Sequence, residues 1–212
     1  MIVTSVAAAR AVWLFDLQDM NPTGRYLYDE LFPWLMERYR FAKAPAHARD
    51  QVEHSWEFLN GRFVTQANEP IDVTLRIYND GVVGETHSST SDTDAFLADA
   101  LAAAAKELNL TFADSMVYRK TYVSELNLLS EKNLQNVNSG MQAFSEAVSK
   151  AFGIPFQLSA LALSGETGAQ PTFRFERKAN HPFAQNKYWS IAGLETSVHV
   201  ALLEQLERLL AD

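Results

Sequence analysis

From Ile71 to Tyr78 apolar and polar residues alternate without a break: Ile71, Val73, Leu75 and Ile77 against Asp72, Thr74, Arg76 and Tyr78. A period of two puts one set on each face of a strand, so this segment belongs in a sheet with one face on a core and the other toward water. Its surroundings extend the pattern. Glu69-Pro70 interrupts the chain before it, and Asn79-Asp80-Gly81 turns the chain back into Val82–Ser88. Upstream, Ser55–Leu59 and Arg62–Thr65 flank Asn60-Gly61, a pair suited to a type I′ hairpin because both residues tolerate positive φ. These residues predict a central four-strand antiparallel meander over about 55–88.

Helical signals surround it. Ser89, Thr90 or Ser91 can cap a helix whose first turn holds Asp92 and Asp94 and whose stripe is Phe96, Leu97, Ala100, Leu101, Ala104 and Leu108. A long strand is expected over Met116–Leu129. After Ser130, Leu134, Val137, Met141, Phe144, Val148 and Ala151 recur at spacings of three and four until Gly153 and Pro155 stop the helix. That stripe is too short for a coiled coil and is expected to pack on the sheet, with a helical interface to another subunit as the alternative. Strands over Phe156–Ser164, Thr172–Arg177 and Tyr188–Ala192 follow, then a closing helix over Glu195–Leu210. Near the start, Arg10–Leu17 reads as a strand, and Asn21-Pro22 as the start of a helix that Pro33 should kink. No repeat shows at a period of 20–50 residues. Hairpins outnumber strand–helix–strand alternations, so the expectation is one α+β domain over 1–212. It would have a largely antiparallel sheet and about four helices packed on it, and an N-terminal lobe over 1–45 could precede the meander and helices of 55–212.

Charge narrows the function classes. The chain carries 18 Lys and Arg against 26 Asp and Glu, a net of −8. From Glu69 to Asp114 nine acids face only Arg76 and Lys106, whereas Arg174–Lys187 is net basic. An acidic chain lacks the clustered cations that displace phosphate counterions, which argues against nucleic acid as partner. There is no cysteine, which excludes disulfides, thiolate metal sites and cysteine nucleophiles. Nothing approaches 18 consecutive apolar residues, so no membrane span is expected. The opening residues have no basic run and carry Arg10 inside their apolar stretch, unlike a signal peptide, and the expected location is the cytoplasm.

Catalytic signatures do not appear: Gly165-Glu-Thr-Gly168 lacks phosphate-loop spacing, and there is no zinc-protease or nucleophile-elbow motif. The best constellation is Glu85, His87, Asp92 and Asp94, one imidazole with carboxylates where a strand enters a helix, a donor set that could hold Mn²⁺ or Zn²⁺. The amides and hydroxyls of Ser88–Ser91 could instead cradle a phosphate. The simpler reading is a helix cap with dipole-compensating acids. Glu195 and His199, four apart on one helix face, read as a surface pair. The loop with His181, Phe183 and Lys187 reads as a candidate binding loop. No stretch is specific enough to name a family. The favoured expectation is a non-catalytic protein–protein interaction module, an assembly component, adaptor or inhibitor. Its acidic surface from residues 69–114, with Asp80, Asp92, Asp94 and Asp99, would meet a basic protein partner or a second copy. Alternatives are a small metal-dependent or phosphate-handling enzyme using Glu85, His87, Asp92 and Asp94, and a small-molecule-binding module with its ligand near Tyr118, Tyr122 and Trp189. No cofactor is expected beyond that candidate divalent metal.

Overall fold

The computed structural model describes residues 1–166 and 172–210, so most of the Gly165–Pro171 connection lies outside the described residues. Among the described residues eight strands and five α-helices make an α+β fold with antiparallel pairings. The chain divides into two compact units: an N-terminal one, Ala8–Val123, and a C-terminal one, Met1–Ala7 with Ser124–Asp212. Strands β1 (Ile2–Leu14) and β5 (Arg119–Leu129) each run across that division. The N-terminal segment through residue 45 therefore belongs, from Ala8 on, with the meander.

In the N-terminal unit β1 is followed by the single turn α1 (Leu17–Met20), then α2 (Tyr28–Tyr39), β2 (Trp56–Val64), β3 (Pro70–Tyr78), β4 (Gly81–Thr86) and α3 (Thr90–Glu107). The strand order is β2-β3-β4-β1. The alternation in β3 falls as the sequence dictates: Val73, Leu75 and Ile77 are buried, and the polar set lies on the other face. Asn79 and Asp80 make a two-residue turn. Gly81 follows at φ +151, where a Cβ would strike the Trp13 carbonyl, so only glycine fits. Ser89 caps α3, its Oγ accepting the Asp92 amide at 3.0 Å.

The meander has three strands, not four. Asn60-Gly61 lies inside β2, where the register against β3 slips between Phe58 and Gly61, a bulge instead of a hairpin turn. Asn60 alone of the pair takes positive φ. Gly61 is buried because the Phe41 ring lies over it, 2.5 Å from where a Cβ would stand. Core packing thus decides the conformation that turn propensity would have set. The helix expected from Asn21-Pro22 begins instead at Tyr28. Asn21 is spent on a local turn, its Nδ2 donating to the Arg25 carbonyl at 2.7 Å and its Oδ1 accepting the Arg25 amide at 3.3 Å. Pro33 sits within α2 and does not split it, because Phe32, Leu35 and Tyr39 on that helix are all buried among Trp56, Phe58 and Phe96.

The C-terminal unit repeats the order. After β5 come a 3-10 turn at Leu134–Val137, α4 (Ser139–Phe152), β6 (Ala160–Ser164), β7 (Thr172–Arg177), β8 (Lys187–Ala192) and α5 (Thr196–Leu209). The strand order is β5-β8-β7-β6. Each unit thus runs strand, helix, three-strand meander, closing helix, with the first strand beside the last. Leu126, Leu128, Leu134, Phe175, Tyr188, Leu203, Leu206 and Leu210 form the second core.

Candidate functional site

The residues singled out as a metal or anion site have separate partners. Glu85 accepts Arg10 Nε at 2.8 Å and Nη2 at 2.6 Å, directly across the β1–β4 register. His87 is exposed, one residue past β4. Asp92 completes the helix cap, receiving Ser89 Oγ at 2.8 Å. Asp94 takes Trp13 Nε1 at 2.7 Å on one oxygen and the Tyr122 hydroxyl at 2.8 Å on the other, while Lys120 Nζ lies 3.4 Å above the Trp13 ring. Among the described residues no three His, Asp or Glu side chains are grouped to hold a metal ion.

The acidic stretch is largely turned to internal use as well. Asp80 is exposed in the β3–β4 turn. Asp99 on α3 accepts the Tyr39 hydroxyl at 2.6 Å and Arg38 Nη2 at 3.2 Å, and Glu107 accepts Arg38 Nη1 at 3.0 Å and Trp34 Nε1 at 2.7 Å. Burial, then the Asp99 carboxylate, push the Tyr39 phenol above its ordinary range. So Asp92, Asp94, Asp99 and Glu107 cap α3 or tie it to its neighbours.

The candidate binding loop lies between β7 and β8 with one 3-10 turn, Phe183–Gln185. Arg177 organises it, donating to the Leu158 carbonyl at 3.0 Å, Gln157 Oε1 at 2.9 Å and the Phe183 carbonyl at 3.2 Å. Its guanidinium stacks 4.8 Å over the Phe183 ring, and burial lowers its pKa. His181 and Lys187 are half-buried beside these contacts. Tyr118 is 70% exposed, whereas Tyr122 is held on Asp94.

His199 overturns the surface-pair expectation. It is fully buried, and its Nε2 lies 2.8 Å from Ser190 Oγ, which donates to the Arg174 carbonyl at 2.8 Å. With the single hydroxyl proton committed there, the imidazole is the donor through Nε2. Nδ1 and the buried Ser124 hydroxyl make no hydrogen bond. Burial lowers the imidazole pKa to about 4, with the Ser124 backbone acting the other way. Glu195, exposed at the helix start, accepts the His199 amide through its backbone carbonyl.

The feature that sequence reasoning misplaced is α4. Its apolar residues were expected in the core, yet only Leu134 and Val137, in the preceding 3-10 turn, pack there. In α4 Ser145 is buried and Val148 and Ser149 are half-buried, Ser149 Oγ accepting the Phe156 amide at 2.7 Å. At 100° per residue the Met141–Phe144–Val148–Phe152 stripe is centred on a direction rotated from those serines. Phe144 is 63% exposed, Phe152 69% and Ile154 58%, and the Phe152 ring lies 5.1 Å from that of Phe156. The sequence carries a signal for it: the 33 residues from Asn133 to Gly165 hold two charges, Glu146 and Lys150, in a chain 21% charged.

Among the described residues no helix is long and apolar enough to cross a membrane. No family model and no curated protein matches the chain. Among solved structures the chain is similar to Methanococcus jannaschii TBP, at 9% identity and a TM-score of 0.42, over 99% of this chain and 97% of that one.

Proposed function

We propose that the chain is a protein-interaction module that docks through the exposed face of α4 and the Gly153–Phe156 segment, and that its first partner is a second copy of itself. The carrying observation is the inversion of α4, serine inward and phenylalanine outward. The exposed parts of Phe144, Phe152 and Phe156 alone amount to about 300 Å² of apolar surface. A contiguous patch of that order on a soluble protein marks an interaction site.

Charge selects the occupant. Two copies of a −8 chain repel one another wherever acidic surfaces meet, so self-association requires a neutral patch, and this one is neutral. An antiparallel pairing of two α4 helices about a two-fold axis at Val148 sets Phe144 of one copy against Phe152 of the other, a self-complementary contact, as a two-fold interface must be. The three rings supply about half of the roughly 600 Å² per partner at the low end of specific interfaces, so the pairing is expected to be weak, in the micromolar to millimolar range.

Sedimentation across about 1 μM to about 1 mM should show a concentration-dependent dimer. Phe144→Asp and Phe152→Asp, both at exposed positions, should leave the fold intact and the chain monomeric. A monomer throughout that range, or a dimer indifferent to Phe144→Asp, overturns the proposal.

A further inference from the structure

The N-terminal unit holds a cavity of about 590 Å³ against the inner face of its sheet, α2 and α3. Its floor is aliphatic: Leu75, Ile77 and Val82 from the strands, Leu97 and Leu101 from α3 and Leu35 from α2, all buried. Its mouth is the segment from Asp16 to Leu27 that carries the chain from β1 to α2. Three hydrogen bonds hold that segment in place. The Leu17 amide donates to the Asn79 carbonyl at 3.0 Å, the Thr111 amide to the Met20 carbonyl at 2.9 Å, and Arg25 Nη2 to the Leu108 carbonyl at 2.8 Å. Tyr118, Tyr122 and Trp189 do not line it.

The cleft opens to solvent at the Asp16–Arg25 segment above an aliphatic floor, and its volume falls within the range of small-molecule pockets. We infer that the cavity binds a small aliphatic amphiphile whose polar end, at the Asp16–Arg25 mouth, is uncharged or cationic. The floor sets the aliphatic body. The mouth sets the head group: Asp16 and Asp19 outnumber Arg25, and Arg25 is already engaged by the Leu108 carbonyl and by Glu30 at 3.5 Å. A carboxylate there would meet two like charges and a committed cation.

The test titrates the full chain with 1-decanol, decylamine and decanoate below their micelle-forming concentrations. It reads the melting temperature and the fluorescence of Trp34, a wall residue. Decanol and decylamine should raise the melting temperature saturably, because a ligand held only by the native state stabilises it, and decanoate should bind at least about tenfold more weakly. Ala100→Phe, which projects a ring into the cavity from α3, should melt higher than the parent without ligand and lose the ligand-induced shift; Ala104→Met serves if that variant fails to fold. Trp34→Phe should lose the fluorescence response and keep the thermal one. No saturable shift with any of the three probes overturns the inference, as does an undiminished shift in the filled variant. Tightest binding by decanoate overturns the head-group assignment and with it the stated ligand class.

Discussion

The two units share one order of elements and differ in what their helices turn inward. In the N-terminal unit α2 sends Phe32, Leu35 and Tyr39 into a core where rings meet edge to face: Phe32 with Phe58 at 5.4 Å and Tyr39 with Phe96 at 5.2 Å. In the C-terminal unit α4 occupies the same place in the order and buries only Ser145. The closing helices differ in the same sense, with eight buried residues in α3 and three in α5. The buried pins are comparable too. Four residues past the cap of α3, Thr93 Oγ1 donates to the Ala9 carbonyl of the first strand at 2.9 Å and lies 3.0 Å from Thr86 Oγ1. Four residues past the cap of α5 stands His199, against Ser190 and the backbone of Ser124 on that unit's first strand. Topology has therefore been kept while the inward chemistry changed, leaving one unit with an aromatic core and the other with an apolar helix face still uncovered.

The largest test of that contrast is removal of one ring from each unit. Phe58→Ala should destabilise the chain by about 3–5 kcal/mol, the usual cost of removing a fully buried ring. Phe144→Ala, measured by urea unfolding in dilute monomer, should stay within about 0.5 kcal/mol. Equal costs at the two positions would mean that α4 is packed like α2 and that the contrast is false.

The pins should differ in pH dependence. The His199 imidazole stays neutral in the fold down to about pH 4, whereas in the unfolded chain it protonates near 6.5. Protons therefore favour the unfolded chain. The contribution is complete above about pH 6.5 and is lost as pH falls toward 4, by about 3 kcal/mol in all. His199→Leu should flatten the difference in urea midpoint between pH 7 and pH 4.5 relative to the parent. Thr93→Val should cost about 1–2 kcal/mol at both pH values, since no titrating group is removed. A parent and His199→Leu variant with the same pH profile would remove the imidazole from the account.

Asp94 sharpens the comparison from the other side. It anchors α3 on Trp13 and Tyr122 through two charge-assisted hydrogen bonds, and on α5 Glu207 is used in a like way, accepting Ser130 Oγ at 2.7 Å and pairing with the Met1 amino group. Asp94→Ala should cost about 2 kcal/mol by urea unfolding, because a buried indole N–H loses its acceptor. A loss below about 0.5 kcal/mol would make Asp94 a surface acid after all.

How far the sequence discloses this molecule depends on where the deciding force acts. Period-two alternation in β3, the Asn79-Asp80 turn and the Ser89 cap are local, and the residues themselves predict them. Asn60-Gly61 shows the limit: its turn propensity yields to the Phe41 ring, nineteen residues away in sequence. The stripe in α4 shows another, because periodicity says that one helix face is apolar and not what covers it. Glu85, His87, Asp92 and Asp94 read as a site because sequence spacing brings them close, and Asp92 is indeed a local cap on Ser89. The partners of Glu85 and Asp94, which are Arg10, Trp13 and Tyr122, come from distant segments that no spacing rule links. The duplicated order of elements is hidden for a related reason, since an exchange of phenylalanine for serine at inward positions erases periodic similarity while leaving strand order intact.

The smallest expected effect concerns how helices are tied together. In the N-terminal unit Arg38 on α2 bridges Asp99 and Glu107 on α3, with each partner roughly a third or more exposed. In the C-terminal unit α4 is tied instead by neutral contacts such as Gln135 Nε2 to the Met141 carbonyl at 3.4 Å. Exposed ion pairs gain little over hydration and are screened by salt, so Arg38→Ala should cost no more than about 1 kcal/mol in dilute buffer and less in about 1 M salt. The aliphatic stem of Arg38 also lies by the Trp34 and Tyr39 rings, 5.7 and 5.6 Å from the guanidinium carbon, so part of the loss is packing that salt does not touch. Arg38→Met keeps the stem and removes the charge. If it restores most of what Arg38→Ala loses at every salt concentration, the link between α2 and α3 is apolar, as the surrounding aromatic core is. If it restores nothing and the loss disappears in salt, α2 and α3 are joined by charge, and the acids of α3 help to hold the aromatic unit together.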